Sequence, residues 1–245
     1  MRHLELGPDG ARMRWVELPG QEPPTVYLHG LGASSPAYFA QVAAVTGRRS
    51  LLVDLLGFGL SDRPASFGYT MEEHADTVAE LLRSVDLDRV RVVGHSMGGA
   101  IAILLAQRHP ALVGQLVLAE PNLRPAEPKA LSARIARYGE QEYVQTMHGR
   151  ILSLVGSEWA ATARQADPAA MHRSAVSLAG PRDRWYVHTL CALEIPRAYL
   201  LGELTERPPD VDALVEAGVS VTVIPGGGHN MMLDNPKAFA EALAR

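Results

Sequence analysis

Cysteine occurs once in the 245 residues, at Cys191, and lysine only twice, at Lys129 and Lys237. A single thiol excludes an intramolecular disulfide and any cysteine-rich metal centre. The scarcity of lysine leaves arginine to carry the positive charge, a compositional bias. The 23 basic residues are outnumbered by 27 acidic ones, for a formal net charge of −4. That balance argues against a nucleic-acid partner, which usually calls for a basic face. Long apolar runs are also missing. The longest, Gly98 to Ala106, is half of what a membrane span needs, and the opening Met1-Arg-His-Leu-Glu-Leu-Gly holds no secretory-type apolar core. What remains is an ordinary composition, 47% hydrophobic and 20% charged. It fits a soluble, cytoplasmic, single-domain protein with no membrane partner. At this length a domain buries about three quarters of its unfolded surface, so its core needs no staples.

Punctuation and periodicity organise the chain. His3–Leu6 and Met13–Leu18 flank Gly7-Pro8-Asp9-Gly10, the composition of a hairpin turn. After Pro23-Pro24, short apolar runs suited to buried strands appear at Thr25–Leu28, Ser50–Val53, Val90–Val93, Gln115–Leu118, Arg197–Leu201 and Val219–Ile224. Helical spacing falls between them at Tyr38–Val45, Met71–Val85, Gly98–His109 and Asp212–Ala217, and again at Pro236–Ala244. This alternation predicts a mostly parallel sheet flanked by helices. Residues 121–193 break the rhythm with amphipathic pieces and no strand. They read as an inserted helical cap over the carboxyl edge of the sheet, where open α/β sheets bind ligands. The core is then residues 1–120 and 194–245.

Gly94-His95-Ser96-Met97-Gly98 is Gly-x-Ser-x-Gly between a buried strand and a helix. Placed there, the motif gives a sharp turn that lifts the Ser96 hydroxyl above the sheet. The helix that follows points its positive end at developing negative charge.

Three further segments accompany it: Leu28-His29-Gly30-Leu31-Gly32, Asp54-Leu-Leu-Gly57-Phe58-Gly59-Leu60-Ser61, and Gly226-Gly227-Gly228-His229. Together they resemble the α/β-hydrolase superfamily over nearly the whole chain, although Leu56 stands where the second motif usually has proline. The resemblance implies the α/β-hydrolase fold, with Ser96 as nucleophile and His229 as base. It also implies an oxyanion hole formed by the backbone N–H groups of Leu31 and Met97. A serine hydroxyl needs such a base, and histidine serves near neutral pH.

The acid is less conventional. Its usual place after the strand following the insertion is Thr205, which cannot carry charge. Glu120, ending the strand before the insertion, is the favoured third member, with Glu203 or Glu206 as alternatives. Another reading pairs Glu120 with Arg124. The order Ser96, Glu120, His229 keeps the nucleophile–acid–histidine sequence of this superfamily.

The reading is hydrolysis of a small or medium, largely apolar carboxylic ester through an acyl-enzyme. A serine nucleophile separates the chain from superfamily members that use aspartate, the haloalkane dehalogenases and epoxide hydrolases. Lactone, thioester or carbon–carbon cleavage and cofactor-free perhydrolysis suit the same triad, and a non-catalytic ligand-binding protein is the rival of another class. Candidate pocket residues are His29, Phe39, His95, Tyr143, Met147, Trp159, Trp185 and Met231, with an ordering role in the loop preferred for His29. No metal and no cofactor is implied, and the oligomeric state is not legible.

Overall fold

Apolar continuity sets the central strands, and alternation sets the edge. The computed structural model describes residues 1–7 and 9–244, and at Glu158 the backbone alone. Among these, β1 (Arg2–Leu6), β2 (Ala11–Leu18), β3 (Gln21–Leu28), β4 (Arg48–Asp54), β5 (Val90–His95), β6 (Val113–Ala119), β7 (Arg197–Gly202) and β8 (Ser220–Ile224) form one sheet. Its order is β1-β2-β4-β3-β5-β6-β7-β8. β2 runs antiparallel to β1 and β4, and every other pairing is parallel. In β5 all six residues are buried, whereas β2 alternates, with Met13 and Trp15 turned inward. Pro8, part of the predicted hairpin turn, lies outside the described residues. β3 starts earlier than its apolar run. Its pairing with β4 shifts register between Gln21 and Thr25, where two prolines lack the N–H a ladder needs.

Helices cover both faces. Val26, Leu51, Val90 and Val92 join a cluster with α2 (Met71–Ser84) and α3 (Met97–Arg108). On the opposite face, Tyr27, Leu52, Val93 and Val117 pack with α1 (Ser35–Thr46), α11 (Met231–Asp234) and α12 (Pro236–Leu243). The neighbours Val92 and Val93 thus serve different layers, as a period of two requires. Each such buried aliphatic side chain contributes roughly 1.5–3 kcal/mol. Helix starts follow local signals. Thr70 and Glu73 form a reciprocal capping box on α2, while Asn235 caps α12 with Pro236 in its first turn.

Between β6 and β7 the regular elements among the described residues are all helical: α4 (Leu131–Ala136), α5 (Glu140–Glu142), α6 (His148–Ser153), α7 (Ser157–Ala163), α8 (Pro168–Ala179) and α9 (Tyr186–Ala192). Residues 140–153 run without a gap as one helical stretch, in which a π turn at Tyr143–Met147 joins α5 to α6. The helices α9 and α11 carry too few residues for a readable period. α10 (Val211–Glu216) precedes β8. No helix among the described residues is long and apolar enough to cross a membrane.

Candidate active site

Ser96 sits between β5 and α3 with φ +52° and ψ −115°, a conformation that costs a non-glycine residue energy. Packing holds it there. A Cβ on Gly98 would lie 2.2 Å from the Leu28 carbonyl oxygen, and one on Gly94 would lie 2.6 Å from that of Gly98. Only glycine at these two positions lets α3 approach β3 and β5 closely enough to form the elbow. The Ser96 N–H donates to the Ala119 carbonyl of β6 at 3.0 Å.

Adjacent strand ends bring the other groups in. Glu120 follows β6 directly, also with positive φ, +40°. Its Oε1 accepts from the Gly202 N–H at 2.9 Å, and its Oε2 meets His229 Nδ1 at 2.8 Å. The carboxylate side chain is only 7% exposed, whereas His229 is 55% exposed. Burial alone would raise the Glu120 pKa. The hydrogen bonds from His229, the Gly202 N–H and the Thr205 hydroxyl outweigh it and hold the carboxyl below its ordinary range. Thr205, at the position where the superfamily usually carries its acid, therefore supports the carboxylate of Glu120. A carboxylate facing Nδ1 places the imidazole proton there and leaves Nε2 with its lone pair.

The alternative acids are engaged elsewhere or lack a link to the imidazole. Glu203 accepts from the Gly226 N–H at 2.7 Å, steadying the loop that carries His229. Glu206 shows no contact with His229 among the described residues. Arg124, the rival partner for Glu120, pairs with Asp210 at 2.6 Å.

Leu31 and Met97 flank Ser96, and among the described residues neither backbone N–H donates to another group. The loop carrying Leu31 is braced from beneath. His29 Nε2 accepts from the Leu55 N–H at 3.1 Å, so Nδ1 holds the proton and donates to the Gly30 carbonyl at 2.8 Å. Asp54 accepts from the N–H groups of Ser35 and Leu60, each at 2.8 Å, joining the second motif to the same support.

His95 Nε2 donates to the His229 carbonyl at 2.9 Å, and the two rings lie 4.7 Å apart. Burial, followed by the neighbouring His229, holds the His95 pKa well below its usual value, so it stays neutral.

A cavity of about 390 Å³ opens over Ser96 and His229. Of the pocket candidates, His95 and Trp159 line it, as does Leu31. His29, Phe39, Tyr143, Met147, Trp185 and Met231 do not. His29 is fully buried behind the loop. Phe39 and Met231 belong to the cluster on the far face of the sheet, with Phe39 packed on Tyr27 and Phe239. The Tyr143 hydroxyl meets His148 at 3.0 Å, while Met147 and Trp185 pack against the main core. Composition marks these side chains as apolar but not which layer they enter.

Asn122 escaped the sequence reading. It stands two residues beyond Glu120, and its Oδ1 accepts from Ser96 Oγ at 3.3 Å. A larger open groove of about 720 Å³ shares no residue with this cavity. Three of its four arginines are already paired, Arg173 with Glu140, Arg182 with Glu72 and Arg108 with Asp76, and the fourth, Arg184, donates to the His188 carbonyl.

The arrangement can be set beside known proteins. Residues 25–242 match the Alpha/beta hydrolase family. The chain belongs to that family. An uncharacterised protein of Mycobacterium tuberculosis is 35% identical to this alpha/beta hydrolase over 106 residues, covering 43% of this chain and 31% of that protein. Haloalkane dehalogenase 2 of the same organism is 35% identical over 123 residues, covering 50% of this chain and 43% of the dehalogenase. The matches thus span less than half the length of these curated relatives. An esterase from Exiguobacterium antarcticum superposes with a TM-score of 0.80 at 22% identity, over 98% of this chain and 97% of the esterase. At that identity the likeness concerns the fold.

Proposed function

We propose that this alpha/beta hydrolase is a serine hydrolase that cleaves a neutral carboxylic ester of small to medium size. The observation that carries the reading is the His229–Glu120 contact of 2.8 Å beside a serine held at a strained elbow. His229 Nε2 takes the Ser96 proton as Oγ attacks the carbonyl carbon. The Leu31 and Met97 N–H groups receive the oxyanion. The tetrahedral adduct collapses to an acyl-enzyme, and His229 protonates the departing alcohol. Water, deprotonated by His229, then releases the acid and restores Ser96. Glu120 stays ionised throughout and stabilises the imidazolium. The helices of residues 121–193 act as a cap that walls the cavity.

Dehalogenation fits this nucleophile poorly. Displacement of halide by serine would leave an alkyl ether, with no carbonyl at which water could release the product. An acyl ester on Ser96 retains that carbonyl.

Cavity chemistry narrows the substrate. Among the described residues lining it there is no lysine, arginine, aspartate or glutamate, and Leu131, Val155, Trp159 and Leu178 supply apolar wall. An acyl chain ending in carboxylate would lose water without gaining a cationic partner. A series of p-nitrophenyl esters tests this, with Ser96→Ala as control. The neutral butyrate is expected to exceed the hemisuccinate in kcat/KM by about 100-fold or more, the ratio for several kcal/mol of uncompensated burial. Equal rates would contradict the assignment to neutral acyl groups. Absence of Ser96-dependent turnover across the series would contradict the hydrolase itself.

A further inference from the structure

The loop that presents Leu31 is a tight turn. The Gly30 carbonyl accepts from the Ala33 N–H at 3.1 Å, closing four residues. Gly32, third in the turn, has φ +70°, while Leu31 keeps a negative φ. That combination is a type II turn. Types I and II differ chiefly by a half-rotation of the central peptide, here Leu31–Gly32. A glycine at the third position admits both arrangements without a Cβ penalty. Local chemistry therefore leaves the orientation of this peptide weakly determined.

A residue far along the chain determines it. Trp159, in α7, donates its indole Nε1–H to the Leu31 carbonyl at 2.8 Å across a separation of 128 residues. Its ring also lies against Gly32, where a Cβ would fall 2.7 Å from Cζ2. The same ring lines the cavity over Ser96.

We propose that Trp159 is a positioning residue whose indole N–H locks the Leu31–Gly32 peptide and so makes oxyanion stabilisation depend on the docking of α7. The inference rests on the serine-hydrolase reading above. Two restraints then act on the donor loop. His29 and the Ala33 N–H fix the peptide before the Leu31 side chain, and Trp159 fixes the peptide after it. With the lock engaged, the Leu31 carbonyl spends its lone pair on the indole. Released, that carbonyl carries partial negative charge one peptide away from the N–H that receives the oxyanion. Loss of the lock lowers the population of loops with the productive arrangement, and the deficit is felt where negative charge develops.

Trp159→Phe keeps an aromatic ring beside Gly32 and removes the donor. With a chromogenic acetate, whose acyl group is too short to lean on the indole, kcat is expected to fall about tenfold. That is less than the roughly 10²- to 10³-fold expected for loss of an entire oxyanion donor. KM should stay within about threefold, because the loss appears in the transition state. The inhibition constant of an aryl trifluoromethyl ketone, which adds to serine and places an oxyanion in the same site, should rise by the factor by which kcat falls. The pH midpoint of kcat/KM should not move, since the His229–Glu120 pair is untouched. If the phenylalanine variant does not fold, benzothienylalanine at position 159 makes the same comparison by exchanging the N–H for sulfur within a bicyclic ring. Wild-type kcat in a folded variant, or a rise in KM alone, overturns the lock and leaves Trp159 a wall of the cavity. Wild-type protein that turns over no ester defeats the serine-hydrolase reading instead, and the lock with it.

Discussion

Glu120→Gln is expected to lower kcat by about 10³- to 10⁴-fold on a neutral ester while leaving the protein folded. The magnitude follows the general effect of replacing a triad carboxylate by its amide. The amide keeps the shape of the side chain and one acceptor, but its NH₂ presents a donor. If that donor turns to His229, the imidazole must accept at Nδ1 and carry its proton on Nε2, the atom that has to receive the proton of Ser96. If the oxygen turns to His229, the NH₂ faces the Gly202 N–H and loses the 2.9 Å hydrogen bond there. Either way the imidazolium formed during attack has no counter-charge. Glu206→Gln should change kcat by less than about twofold, as surface substitutions away from the reacting groups do. Glu203→Gln alters the Gly226 contact and the register of the histidine loop, so a modest rise in KM is expected without collapse of kcat. Steady-state kinetics on the three variants separates the cases. A large loss confined to Glu206→Gln or Glu203→Gln would contradict the role given to Glu120.

Acid is expected to unfold the protein through its buried histidines before its carboxylates titrate. His29, His74 and His95 are all at most 3% exposed, and burial lowers the pKa of each. For His74, packed among Phe58, Phe67 and Tyr69, the value is pushed down to about 3. The unfolded chain protonates these rings below the ordinary value of 6.5, while the folded chain takes up the same protons only at lower pH. Stability is thus complete above pH 6.5 and falls as pH drops below it, by about 1.4 kcal/mol per pH unit for each ring kept neutral. Against the upward pull of its burial, the hydrogen bonds from His229, the Gly202 N–H and Thr205 hold the Glu120 carboxyl below its ordinary 4.5. Its stabilisation is retained until pH falls below that ordinary value, so the interval from 6.5 to 4.5 reports on the histidines. Urea unfolding at steps across that interval should show a steep decline in stability. His74→Leu should reduce the slope, because the proton that the unfolded chain takes up at His74 is no longer part of the difference. A flat profile, or an unchanged slope in His74→Leu, would contradict the neutral burial of these rings.

Much of this site was legible before any fold was known, for identifiable reasons. Ser96 stands where a buried strand turns into a helix, and the glycines two residues before and after it have no role in a regular strand or helix. Glu120 ends an apolar strand at the sheet edge that also carries Ser96, so parallel order alone brings it near. Other features depend on contacts no local pattern encodes. Phe39 and Met231 are as apolar as the cavity wall yet enter the opposite layer, because a helix face is chosen by its neighbours. Asn122 is an ordinary loop residue until β5 and β6 lie side by side. Trp159 reads in the sequence as a pocket aromatic on an amphipathic helix, but its indole hydrogen bond exists only once α7 lies over the first loop. The π turn at Tyr143–Met147 leaves no mark in the helical period, since five residues are too few to shift it.

The measurement that bears most directly on the central claim is mass-spectrometric location of a fluorophosphonate adduct on the folded protein. One adduct on Ser96 is expected, absent in Ser96→Ala and formed far more slowly in Glu120→Gln. A folded wild-type chain that takes up no label, or that takes it up elsewhere than Ser96, would contradict a nucleophile at this elbow.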